Sequence, residues 1–243
     1  MEILIYILVG ISSFFFVIVP ITGGVVLNPL LSLIVDPHTA VSITVFFFMI
    51  NSGIKALIFR HDIVWELVAR MLPVSIIAAV VGSYLIGFIP EIALYIMMLL
   101  MTLFFASKRI FPSLFRKKQD QKNQNYGSVI TSILSGFMQG VGLGGGGSLR
   151  KVYFLSGNLS LQQMHGTTSA LSLVLGTAAT FIRLETDQVT FDILLPVLYL
   201  IPLMVISIVY GKKVLVKLSE RASDIIIRAT LALTVVFLTM KLL

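Results

Sequence analysis

Apolar residues run along this chain in long blocks that show no polar face. Ile3–Val19, Val74–Ile89, Ile92–Ala106 and Ile193–Tyr210 are nearly uncharged. A surface helix of a soluble protein brings charged residues round every turn; these blocks do not. Each is about 15–20 residues long, roughly what a helix needs to cross ~30 Å of hydrocarbon. Two glycine clusters interrupt the pattern, Gly23-Gly24 early in the chain and Gly144-Gly145-Gly146-Gly147 past its middle. A glycine in a helix interior costs about 1 kcal/mol relative to alanine, so both clusters predict breaks. The first half reads as a segment from Ile3 broken near Pro20–Gly24, then helices near Ala40–Phe59, Ile63–Ile89 and Glu91–Ser107. The second reads as a segment from Gly127 broken at Gly142–Gly147, then helices near Met164–Arg183, Val189–Tyr210 and Ala222–Leu242.

The two halves can be laid over each other. Gly23 falls on Gly147, Ala40–Val45 on Met164–Ser169, Gly53 on Gly176, Asp62 on Glu185, and Pro73 on Pro196. The expected fold class is an all-α polytopic membrane protein of about eight transmembrane segments in two homologous repeats, the first segment of each broken at glycines. The divisions are a first membrane repeat over 1–107, a basic linker over 108–126 and a second membrane repeat over 127–243. Lys108, Arg109, Arg116, Lys117, Lys118 and Lys122 crowd the linker, as expected of a cytoplasmic loop.

Orientation divides into two readings. If each broken segment crosses once, the halves run parallel and Lys212, Lys213, Lys217 and Arg221 lie outside, against the positive-inside rule. If Val25–Val35 and Leu149–Ser156 turn back as re-entrant half-helices, the halves are inverted and that cluster moves inside. Charge favours the inverted repeat, a common transporter arrangement.

Composition agrees with the pattern. The chain of 243 residues is 57% hydrophobic and 12% charged, with a mean hydropathy of +1.01; soluble domains average about 25% charge. The net charge of +7 would suggest nucleic acid in a soluble protein, but its concentration in the linker argues against a nucleic-acid partner. The N-terminal run starts with Glu2 in place of a basic region and shows no small-residue cleavage site, so it reads as a retained helix. Cysteine is absent, which excludes disulfides, thiol catalysis and Cys-based metal sites. No cofactor is implied.

The breaks carry the candidate chemistry. In a membrane, irregular backbone persists only where protein or a wet cavity satisfies it. A half-helix starting after such a break turns its free N–H groups and positive dipole end inward, which attracts a small anion. Gly23, Gly24 and Gly144–Gly147 therefore shape an expected anion site, with Asn28 and Ser148 close behind them. Thr167, Thr168, Ser169 and Ser172 supply hydroxyls, Thr168 and Ser172 on one helix face. Asn51 is a lone polar group on an apolar helix. Arg150, after the last glycine, offers a fork of donors suited to oxyanions. The plainer readings are tight packing for the glycines, back-bonding for the hydroxyls, and snorkelling to an interface for Arg150, Lys151 and Lys55. His38, His61 and His165 are not at metal-ligand spacing, and His165, beside the hydroxyls, is the candidate for proton coupling. No carboxylate sits mid-helix, and no nucleophile has a placed base, so the chain does not read as an enzyme.

With Gly23-Gly24, Pro29, Ala40–Thr44, Gly142, Gly144–Gly147 and Gly166-Thr167-Thr168-Ser169 in view, the chain resembles the sulfite exporter TauE/SafE family, also described as the toluenesulfonate uptake permease group. The resemblance covers nearly the whole length. The second half departs from the family pattern in lacking the proline, with Val152-Tyr153 instead, and in carrying Arg150-Lys151. The resemblance implies a multi-pass carrier of a bacterial or archaeal cytoplasmic membrane. It would move sulfite, organosulfonates or related sulfur-containing or carboxylate anions, by export more often than import; the sequence leaves a proton or Na+ open as coupling ion. Two rivals stay open at this point. One is an anion channel with the same site. The other is a non-transporting scaffold or lipid-handling protein whose glycines serve packing alone. Oligomeric state is not legible in the sequence.

Overall fold

The computed structural model describes residues 23–110, 124–144, 146–156 and 159–217, with positions 229, 232, 234–236 and 238–240 of the C-terminal segment. Nine helices cover these stretches: α1 (Gly23–Leu31), α2 (Pro37–Ile58), α3 (Trp65–Leu85), α4 (Glu91–Ile110), α5 (Gln124–Val141), α6 (Gly146–Ser156), α7 (Leu161–Glu185), α8 (Phe191–Tyr199) and α9 (Ile201–Lys217). There is no strand among the described residues. The expected segment from Ile3 to the first break, most of the linker and most of Ala222–Leu242 lie outside them.

Local chemistry sets the helix starts. Asp36 accepts the Thr39 N–H at 2.9 Å and Pro37 occupies the first turn, so α2 begins three residues before its apolar run. Ser160 and Gln163 close a capping box that starts α7 ahead of Met164. The run expected as one helix over Val189–Tyr210 is two helices that meet at Leu200 with a 45° bend. Pro202 has no N–H to offer the Leu198 carbonyl, which removes a helical bond at that bend.

Among the described residues, three helical stretches are long and apolar enough to cross a membrane: Pro37–Ile58, Trp65–Phe88 and Leu161–Glu185. The bent α8–α9 pair makes a fourth, and Glu91–Ser107 and Ser128–Val141 are shorter apolar helices.

Point contacts fix the helix directions. Along α2 and α7, Ser42 meets Arg183, Met49 meets Gly176, Gly53 meets Leu173 and Phe59 meets Gly166, so these helices are antiparallel. The Val64 N–H, at the head of α3, donates to Thr167 Oγ1 near the head of α7 at 3.0 Å. Ser83, near the end of α3, donates to the Ala179 carbonyl at 2.8 Å, so α3 and α7 are parallel. Ser75 meets Ser132 and Gly136, and Ala79 meets Gly140, so α3 and α5 are parallel too. Two helices that share a direction, α5 and α7, are thus joined through α6 alone. Helices α5 and α6 form a hairpin that enters and leaves by one end of the bundle.

The most extensive helix contacts are α3 with α5, α2 with α7 and α3 with α7. Each joins an element before the linker to one after it. The α3–α5 seam is made of small residues, with Gly82 and Ser75 on one side and Gly136 and Gly140 on the other, which lets the backbones touch.

Candidate functional site

The α5–α6 hairpin turns at Gly142 and Gly144, with φ of +79° and +84°. Side chains are strained in that region, so the turn depends on glycine. The tip lies against the head of α1. A Cβ on Gly24 would stand 2.9 Å from Gly144 Cα, and one on Gly144 would stand 2.8 Å from the Val25 nitrogen. The two glycine clusters, far apart in sequence, meet backbone to backbone.

The end of α5 leaves carbonyls without helical partners, and other helices supply them. Asn28, fully buried on α1, donates its amide to the Gly142 carbonyl at 2.8 Å. Arg183, buried on α7, donates to the carbonyls of Gly140 at 2.9 Å and Val141 at 3.1 Å, and to Ser42 Oγ at 2.9 Å. This guanidinium sits at the negative end of the α5 dipole, where a cation is favoured.

Arg150 is differently placed. It is fully buried on α6, not at an interface. One of its nitrogens, Nη2, donates to Gln139 Oε1 at 2.6 Å and to Ser172 Oγ at 2.7 Å. Gln139 and Ser172 also approach each other at 3.4 Å. Arg150 Nε and Nη1 have no partner among the described residues, and neither do the hydroxyls of Thr168 and Ser135. Ser172 stands midway along α7, so the group lies at the middle of that span.

Lys151 follows Arg150 directly on α6 and is half-buried. Lys55 is half-buried in the last turn of α2, and His165 stacks on Phe59 with ring centres 6.0 Å apart. The single ion pair among the described residues is the exposed Arg70–Glu66 pair on α3. A buried cation without a counter-charge is costly, and a bound anion removes that cost.

The other expected residues are distributed as follows. Gly146 packs on the Ser135 carbonyl, while a Cβ on Gly147 would meet nothing nearer than Thr168 Cγ2 at 3.8 Å. A methyl group at Gly147 would therefore sit in ordinary contact with the Thr168 side chain. Ser148 is half-buried on α6. Thr167 is engaged with Val64 at the start of α3, and Ser169 and Asn51 are buried on α7 and α2. Gly145 lies outside the described residues. Gln139 and Arg183 were missed from sequence. Both sit within otherwise small or apolar helices, where a lone long polar side chain was the available signal.

A family model described as Sulfite exporter TauE/SafE matches residues 4–242. No curated protein and no solved structure gave a match. The chain belongs to the sulfite exporter TauE/SafE family and is a multi-pass membrane protein of the transporter type that family comprises.

Proposed function

We propose that this member of the TauE/SafE family is a secondary transporter, acting as an exporter, of small sulfur-containing or organic anions such as sulfite or organosulfonates. The observation that carries the reading is Arg150: a guanidinium at mid-span with two unpartnered donor nitrogens and no carboxylate beside it. Arg150 would bind the oxyanion through those donors. Thr168 would add a hydroxyl, Gly147 would leave the space, and the head of α6 would add its dipole.

The antiparallel pairing of α2 and α7, which open the main spans of the two halves, supports inverted repeats. In that arrangement the basic cluster at 212–221 shares the cytoplasmic side with the linker, as the positive-inside rule requires. A cysteine introduced at Val214 should then label from the cytoplasmic side. Because the largest helix contacts join the halves, alternating access comes from helices drawn from both of them, not from one half rocking as a body.

The test is uptake of labelled sulfite and a sulfonate into proteoliposomes by the unaltered protein, Arg150→Gln and Arg150→Lys. Loss of flux in Arg150→Gln with partial retention in Arg150→Lys is expected. Undiminished flux in Arg150→Gln would remove the site.

A further inference from the structure

Helices α3 and α5 touch along their later turns and leave a gap towards their heads. Ala79 meets Gly140, Ser75 meets Gly136, and Ser75 Oγ donates to the Ser132 carbonyl at 3.1 Å. Towards the heads from that contact, Arg70, Val74, Ser128, Val129 and Ser132 line a cavity of about 360 Å³. That volume lies within the roughly 300–1,000 Å³ usual for a small-ligand site. Val129 is exposed, so the cavity opens on the outer face of the bundle.

Its surroundings are amphiphilic. Arg70, Val74, Ile77 and Val81 recur at helical spacing and form one stripe of α3. The stripe begins with a cation and continues with apolar side chains, of which Ile77 and Val81 are exposed. Val129, Ile133 and Phe137 form an exposed apolar stripe on α5. Arg70 is held only by a single contact with Glu66 Oε1 at 3.3 Å, an exposed ion pair of the weak surface kind. Trp65, exposed at the start of α3, suits the membrane–water boundary, and Arg70 stands about 7.5 Å further along the helix. The chain enters α5 from the basic linker, with Lys122 two positions before Gln124. Basic loops lie on the cytoplasmic side, and basic pockets between spans on that side take anionic lipid headgroups.

We propose that the furrow between α3 and α5 binds an anionic glycerophospholipid of the cytoplasmic leaflet. The phosphodiester sits in the cavity on Arg70, and an acyl chain follows the furrow past Ile77, Val81, Ile133 and Phe137. This site is separate from Arg150 and does not depend on which anion is carried. Because α3 precedes the linker and α5 follows it, the bound lipid joins an element of each half and stabilises their pairing.

Thermal unfolding of the purified, delipidated full-length chain tests this, since a ligand of the folded state raises the midpoint by mass action. The probes are dioleoylphosphatidylglycerol, dioleoylphosphatidylcholine and inorganic phosphate. Phosphatidylglycerol should half-saturate the rise at least about fivefold below phosphatidylcholine, and inorganic phosphate should give no rise that depends on Arg70. Arg70→Gln should bring the lipid ratio towards one, and Arg70→Lys should keep part of it. Arg60→Gln removes an exposed cation just before α3 and should leave the ratio unchanged. Val129→Trp fills the cavity without changing charge and should weaken the response to phosphatidylglycerol. No response to phosphatidylglycerol, an equal response to both lipids, or a preference that survives Arg70→Gln overturns the site. A preference lost equally in Arg60→Gln and Arg70→Gln overturns it in favour of a diffuse basic surface. A rise with inorganic phosphate that Arg70→Gln abolishes overturns it in favour of a free-phosphate site. If Arg70→Gln does not fold, Val129→Trp decides, because an undiminished preference with the cavity filled overturns the proposal.

Discussion

Arg150 and Arg183 are both fully buried guanidinium groups in a membrane protein, and they are held in opposite ways. Arg183 gives Nη1 and Nη2 to fixed acceptors, two carbonyls at the open end of α5 and the hydroxyl of Ser42, and leaves only Nε without a partner among the described residues. Those carbonyls need donors, so cation and helix end satisfy each other. Arg150 spends one nitrogen on Gln139 and Ser172 and leaves two without partners. Arg183 is thus a clamp on the end of α5, whereas Arg150, with two nitrogens left over against one, is the guanidinium proposed above to receive an anion.

The comparison can be broken by substitution. The largest effect expected is on stability in Arg183→Met, which orphans the carbonyls of Gly140 and Val141 and should cost about 3 kcal/mol or more, read as a lowered unfolding midpoint and poor yield. A variant as stable as the parent would show that the clamp is idle. Arg150→Gln should lower anion flux about 100-fold or more, equivalent to roughly 2.7 kcal/mol, yet keep or raise the unfolding midpoint of the ligand-free protein, because it removes an uncompensated charge. A parallel loss of stability would make Arg150 a second clamp. Asn28→Ala removes the amide cap on the Gly142 carbonyl and should cost about 1–2 kcal/mol, measured by the same unfolding. Smallest is Thr168→Val, which keeps shape and deletes an unpartnered hydroxyl. It should weaken anion binding several-fold, by about 1 kcal/mol, with the midpoint unchanged in the absence of anion.

Much of the helical frame was legible, since block length and lack of a polar face depend on the chain alone. The positive φ of Gly142 and Gly144 is a backbone that only glycine accepts cheaply, so their identity marks the turn after α5. The meeting of Gly24 with Gly144 was legible only as a symmetry between halves, and the contact itself needed coordinates. Arg183 was hidden because an arginine near the end of an apolar helix reads as an interfacial residue. Its role depends on where α5 stops, a fact of a different helix. Gln139 was hidden for a similar reason: its value comes from Arg150 across the hairpin. Thr167, singled out as an anion donor, accepts the Val64 N–H at the start of α3, a contact between halves that spacing along one helix does not reveal.

The small-residue seam between α3 and α5 has a consequence for biosynthesis. Ribosomes deliver α3 to the bilayer before α5 exists, so Ser75 and Gly82 first face lipid in a surface notched for an absent neighbour. Lipid tails fill such a notch poorly, and the seam closes once the later helix slides against it. The early spans of this protein are therefore inserted as an unfinished half, and the native arrangement is reached after the last helices have left the translocon.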